Sequence, residues 1–184
     1  MEWLSGLDTA IFFLINERLS SSVLDAVMPF ITDKSHFIAL GLIGVILILI
    51  KGKKAHKRTL ILLAITVIIS DFAAANLKEL FGRVRPCHAL EGVNLLVGCG
   101  GSYSFPSGHA TNIFAAMVML SLRHTKFMPF FLFAAAAVAY SRVYVGVHYP
   151  LDIIGGAILG TLVAFAIYWA DKKGLKSIKK AIKH

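Results

Sequence analysis

Charge is scarce in this 184-residue chain: 16% of its residues are charged, 10 of them acidic, while 57% are hydrophobic. That profile excludes an ordinary soluble domain. Two cysteines are too few for a disulfide scaffold or a thiolate zinc cluster. The acids are dispersed, and neither a carboxylate cluster nor a Cys/His ligand spacing points to a divalent metal, so no metal or cofactor is expected. Residues 1–10 contain Glu2 and Asp8 but no Lys or Arg, and the apolar stretch 11–15 is too short for the core of a cleavable signal peptide. Internal repeats and low-complexity segments are absent. At this length the chain reads as one domain, residues 1–184.

What the chain does have is apolar runs of near-spanning length: residues 37–50, 59–75, 110–122, 127–140 and 151–170. A bilayer core takes ~20 helical residues, range ~17–25. The predicted class is therefore all-α, a polytopic transmembrane helical bundle of about five spans near 36–50, 59–80, 109–123, 127–142 and 150–170. The net charge of +9 arises mostly from three clusters, in residues 51–58, 123–126 and 172–183. Successive crossings put all three on one side, which the positive-inside rule makes cytoplasmic. The basic balance thus reports topology, and no nucleic-acid partner is expected.

Residues 1–35 read as two amphipathic helices at the outer interface. Leu7, Ala10, Ile11, Leu14 and Ile15 form the apolar stripe of the first, with Asp8, Asn16 and Glu17 away from it. The transmembrane core is 36–170, and 171–184 is a basic cytoplasmic tail, where Leu175, Ile178 and Ile182 alternate with lysines in a pattern suited to an anionic leaflet. Residues 81–108 form an external loop holding Cys87 and Cys99, which on an oxidising side are expected to bridge. Asp71 lies inside an apolar run, and a hydrogen bond to a neighbouring helix is its expected role.

Three short segments carry the chemistry: Lys78 to Pro86, Pro106 to His109, and Ser141 to Asp152. The predicted topology brings all three to the outer face. Lys78, Arg85 and Arg142 are three cations, two of them planar forks suited to phosphate oxygens. Ser107 and Gly108 open a helix, whose N-terminal amides favour an anion. His148, four residues before Asp152, can be a carboxylate-oriented nucleophile. His109 can protonate a leaving oxygen and then activate water. Cations plus this pair of histidines are what cleavage of a phosphate ester through a phosphohistidine needs.

The segments K-x6-R-P, P-S-G-H and S-R-x5-H-x3-D resemble the signature of the type 2 phosphatidic acid phosphatase (PAP2) family, in its membrane lipid-phosphatase branch, with every signature position filled. The resemblance spans about residues 71–160. It implies that Lys78, Arg85, Ser107, Gly108 and Arg142 bind phosphate, that His109 is the acid and base, that His148 is the nucleophile and that Asp152 orients it. It also implies a metal-independent hydrolase of a lipid phosphomonoester or diphosphate drawn from the bilayer. The candidates are lipid A 1-phosphate, undecaprenyl diphosphate and phosphatidylglycerophosphate, with a weak leaning to the lipid A 1-phosphatase group. The implied location is the bacterial inner membrane, with the site facing the periplasm and the C-terminus in the cytoplasm. Two other readings stand beside it: a lipid-to-lipid phosphotransferase, and a non-catalytic lipid-binding or transport protein. The sequence does not decide between a monomer and a homo-oligomer.

Overall fold

The computed structural model describes residues 2–101 and 103–181. These residues form eight α-helices: α1 Glu2–Phe13, α2 Ser22–Thr32, α3 Ser35–Lys51, α4 Lys54–Phe81, α5 Pro86–Ala89, α6 Gly108–Arg123, α7 Met128–Tyr144 and α8 Pro150–Ala181. A π-helical turn, Leu14–Arg18, continues α1, and a 3-10 turn, Thr125–Phe127, leads into α7. Isolated pairing of Val84 with Tyr103 is the extent of β structure among the described residues. Three stretches are long and apolar enough to cross a membrane: α4, residues 125–144, and α8 as far as Gly174. The helices α3, of 17 residues, and α6, of 16, are shorter. The protein is a transmembrane helical bundle.

Helix α6 is the centre of the bundle, packed on α4, α7 and α8. Close approach to α8 depends on glycines. A Cβ at Gly156 would meet the Ser107 carbonyl oxygen at 2.6 Å and Ala110 Cβ at 3.0 Å, and one at Gly160 would collide with the Thr111 carbonyl. Small residues let two backbones approach where lipid supplies no hydrophobic drive for helices to associate. Around this seam, Leu62, Val118, Met119 and Ala164 form one buried cluster. Large apolar side chains such as Ile50, Ile68, Phe72 and Phe133 remain outward on the helices, as a lipid-facing surface requires.

The helices alternate in direction, and the two ends of the bundle differ. At one end Arg58 pairs with Asp171 at 2.6 Å, and Arg123 lies 3.7 Å from the same carboxylate. At the other end all three chemistry-bearing segments meet. Helix α4 starts within the basic cluster, at Lys54, and α8 runs unbroken past residue 170. The tail's apolar residues Leu175, Ile178 and Ile182 lie outside the described side chains.

The N-terminal segment forms the helices α1 and α2, and α1 turns its polar side to the bundle. Leu7, Ile11 and Leu14 are exposed, whereas Asp8, Phe12 and Asn16, at spacing i, i+4, i+8, are buried against the bundle. Asn16 donates to the carbonyls of Tyr144 at 2.7 Å and Asn94 at 2.8 Å, and accepts from the Asn94 amide at 2.9 Å. Beside an apolar solvent the stripe need not point inward; the polar groups turn inward to find partners. Asp71 accepts from Asn112 of α6 at 2.7 Å, the helix-to-helix bond expected of it. Cys87 and Cys99 are joined in a disulfide.

Candidate active site

Helix ends place the site. Lys78 lies in the last turn of α4, which stops at Gly82, held in the left-handed conformation (φ 56°). That turn sends the chain back across the bundle end toward Arg85. Lys78 Nζ donates to the carbonyls of Tyr103 and Ser104, both at 3.2 Å. Ser107 caps α6, its Oγ accepting from the Ala110 amide at 3.5 Å. Its own amide donates to the Asp152 carbonyl at 2.9 Å, joining the second segment to the third. Gly108 sits beside Lys78: a Cβ there would have Lys78 Cε as its nearest neighbour, 4.0 Å away. A phosphate oxygen can thus approach the start of α6 with the lysine alongside.

Arg85 and Arg142 come from the loop and from the end of α7. Arg85 NH1 donates to the Val147 carbonyl at 3.2 Å and lies 3.3 Å from His148 Nε2. Arg142 is buried, and its NH1 donates to Thr32 Oγ1 at 2.6 Å. The Nε–H groups of both arginines are buried with no acceptor among the described residues. Unpaired guanidinium donors are costly, and phosphate oxygens would satisfy them. The backbone carbonyl of Arg142 accepts the amides of Val147 and His148, each at 3.2 Å, which fixes the turn carrying His148.

His148 is 1% exposed, and its Nδ1 lies 3.4 Å from Asp152 Oδ2. An arginine cannot accept a hydrogen bond, so its contact with Nε2 fits a lone pair on that nitrogen and the proton on Nδ1, toward the carboxylate. That tautomer leaves the Nε2 lone pair able to attack an electrophile. Burial pushes His148 far below the ordinary imidazole range, Arg85 and Arg142 adding to it and Asp152 opposing it. The ring is held neutral.

Asp152 is itself held on every side. Its Oδ2 also accepts the Tyr149 amide at 2.8 Å. Its Oδ1 pairs with Arg83 NH1 at 2.9 Å, while Arg83 NH2 reaches Asp8 Oδ2 at 2.5 Å. Asp8 Oδ1 accepts the Leu151 amide at 2.9 Å, and the Arg83 guanidinium lies 4.0 Å over the Tyr149 ring. Arg83, Asp8 and Thr32 are site-supporting residues that the motif reading did not assign. The signal for Asp8 was present in the sequence, as an acid and an amide eight residues apart on one helix face.

With Arg142, Thr32, Asp33, Lys34, His36 and Val97, His109 lines a cavity of about 520 Å³. Arg142, Lys34, Arg85 and Lys78 all lie within electrostatic reach of its ring. All eight residues expected at the site therefore meet at one end of the bundle. Cys87, His88 and Cys99 are spaced as metal ligands could be, but both sulfurs are committed to the disulfide.

Residues 59–175 match the family model described as PAP2 superfamily. An undecaprenyl-diphosphatase of Sulfolobus acidocaldarius is 29% identical over 181 residues, covering 97% of this chain and 85% of that protein. A lipid A 4'-phosphatase of Bacteroides thetaiotaomicron is 29% identical over 183 residues, covering 94% and 80%. Among solved structures, the transmembrane PAP2-type phosphatidylglycerolphosphate phosphatase of Bacillus subtilis superposes with a TM-score of 0.72 at 26% identity, covering 94% of this chain and 88% of that one. By their names, these three proteins act on three different lipids.

Proposed function

The chain belongs to the PAP2 superfamily, and from that membership we propose that it is a lipid phosphatase working through a phosphohistidine on His148. Lys78, Arg85, Arg142 and the amides at the start of α6 hold the phosphoryl group. His148 Nε2 attacks phosphorus while His109 gives its proton to the leaving oxygen. His109 then takes a proton from water, which attacks the phosphohistidine and releases inorganic phosphate. Charge stabilisation by the three cations supplies most of the rate, as phosphoryl transfer generally requires. The observation that carries this reading is the buried relay Asp152–His148–Arg85, with the nucleophilic nitrogen facing a phosphate-binding guanidinium.

The substrate is a lipid phosphomonoester or diphosphate, with undecaprenyl diphosphate, lipid A and phosphatidylglycerophosphate as candidates. The site faces the outer side of the cytoplasmic membrane and the C-terminus lies inside; the clustering of cations at the opposite end of the bundle supports this orientation. The test is phosphate release by detergent-purified protein, with EDTA present, from each lipid, beside His148→Ala. Release from at least one lipid, lost in the variant, is the expected result. Release that survives His148→Ala, or that chelator abolishes, would refute the mechanism.

A further inference from the structure

We propose that the cavity in front of His109 contains a second anion subsite, built on Lys34 and His36, that receives the leaving half of a lipid diphosphate. This rests on the phosphatase reading above and narrows its substrate class. The three motif cations account for the transferred phosphoryl group. Lys34 belongs to no motif, yet it lines the same cavity as His109 and Arg142, and its charge reaches the His109 ring.

The segment that carries Lys34 is pinned. Thr32 accepts from Arg142 at 2.6 Å, so the phosphate-binding arginine itself anchors the end of α2. The Asp33 amide donates to the Pro29 carbonyl at 3.1 Å. Asp33 also lines the cavity, its Oδ1 accepting from the Ser35 amide at 2.9 Å, and Lys34 forms no salt bridge among the described residues. The His36 ring stacks on Phe30 at 4.3 Å, and its Nδ1 lies 3.2 Å from the Phe30 carbonyl. A carbonyl only accepts, so that nitrogen is the donor, and Nε2 becomes a second donor, able to hold an anion, in the imidazolium form.

Position along the reaction axis gives these groups their meaning. In-line displacement puts the leaving oxygen opposite His148, on the side of the acid His109. With a monoester the leaving oxygen belongs to an alcohol and is neutral once protonated, so a cation beside that oxygen has no charge on it to bind. With a diphosphate, His148 Nε2 bonds to the terminal phosphorus and the bridging P–O bond breaks. The departing lipid monophosphate takes the electron pair and receives the proton of His109 on the bridging oxygen. Its charge sits where Lys34 and His36 are. Water then cleaves the phosphohistidine and restores both histidines.

The experiment uses the full chain in detergent, with farnesyl diphosphate and farnesyl monophosphate as probes sharing one tail. Lys34→Gln should lower the ratio of kcat/KM for diphosphate over monophosphate about tenfold or more, the loss expected of one charge-assisted contact. His36→Gln should lower it in the same direction, and Lys34→Arg should restore most of it. An unchanged ratio, with both rates lowered together or neither lowered, overturns the subsite and leaves the phosphatase standing. Release from neither probe nor any other lipid phosphate by the unsubstituted protein overturns the phosphatase reading, and the subsite with it.

Discussion

Replacing Arg83 by glutamine tests the supporting network most directly. The side chain is 27% exposed, but its two partners, Asp8 and Asp152, are buried almost completely. Removing one member of a buried ion pair costs about 3–5 kcal/mol, because it strands a charge. Here each carboxylate keeps one backbone amide, from Leu151 and Tyr149, and water can enter where the guanidinium stood. The low end, about 3 kcal/mol of stability, follows. The catalytic effect is separate. Asp152 would lose the anchor on Oδ1 and with it a fixed angle toward His148. In Ser-His-Asp enzymes, disabling the orienting carboxylate outright lowers kcat about 10⁴-fold. Loosening it should lower kcat about 10- to 100-fold, or about 1.4–2.7 kcal/mol of barrier. Because the Arg83 guanidinium is committed to Asp8 and Asp152, KM should stay within about twofold.

The assay is phosphate release on a substrate that the parent protein turns over, with thermal unfolding recorded on the same samples. Arg83→Lys should recover less than half of the loss, since one ammonium cannot fork between two carboxylates. Asp8→Asn should lower kcat less than Arg83→Gln, and the double variant should show a coupling of about 0.5–3 kcal/mol. An Arg83→Gln protein with unchanged kcat and unfolding temperature would refute the reasoning. A rise in KM at constant kcat would assign Arg83 to the substrate instead.

Other outcomes can be measured independently. Unfolded His148 titrates near pH ~6.5 and the folded ring far lower, so the unfolded state binds the extra proton; stability should fall below that pH by about 1.4 kcal/mol per unit. Unfolding temperature against pH should show this slope, and an identical slope in His148→Gln would contradict it. Gly160→Val should separate α6 from α8, lowering stability by about 1–3 kcal/mol and activity with it; a variant as stable as the parent would show the seam is not tight. Cys87 and Cys99 should resist alkylation until reduced, and Cys99→Ser should cost about 3 kcal/mol for a loop with sequence separation 12. Two thiols reactive without reductant would remove the bridge.

The proposed catalytic residues were legible because their chemistry is local and repeated along the chain. A histidine four residues before an aspartate at a helix start, a Ser-Gly helix opening and three cations near hydrocarbon each say something alone. The span pattern puts them on one face. What could not be read were contacts linking residues far apart in sequence. Asp8 and Asn16 stand off the apolar stripe of an interfacial helix, a pattern that is the same whether that side meets water or the bundle. Against lipid, buried polar partners decide the orientation. Arg83 was hidden for another reason. It stands two residues from Arg85, in a stretch where any cation could serve phosphate, and its partner Asp8 lies 75 positions away.

The N-terminal segment adds polar anchors where lipid makes apolar ones ineffective. In water, α1 and α2 would be held chiefly by burying their stripes; in a bilayer those stripes gain little by leaving the lipid. Three links do the holding instead, and each ends on a different part of the site. Asp8 reaches Asp152 through Arg83, Asn16 holds the turn after α7 at Tyr144, and Thr32 holds Arg142. Asp152, the turn that carries His148, and Arg142 thus depend on one segment outside the matched family region, residues 59–175. Its attachment and the precision of the site should therefore weaken together. A protein lacking α1 should keep its helices, bind phosphate through Lys78 and Arg85, and lose kcat to at least the extent of Arg83→Gln. Truncation that leaves kcat intact would show that Asp152 is fixed by the Tyr149 amide alone.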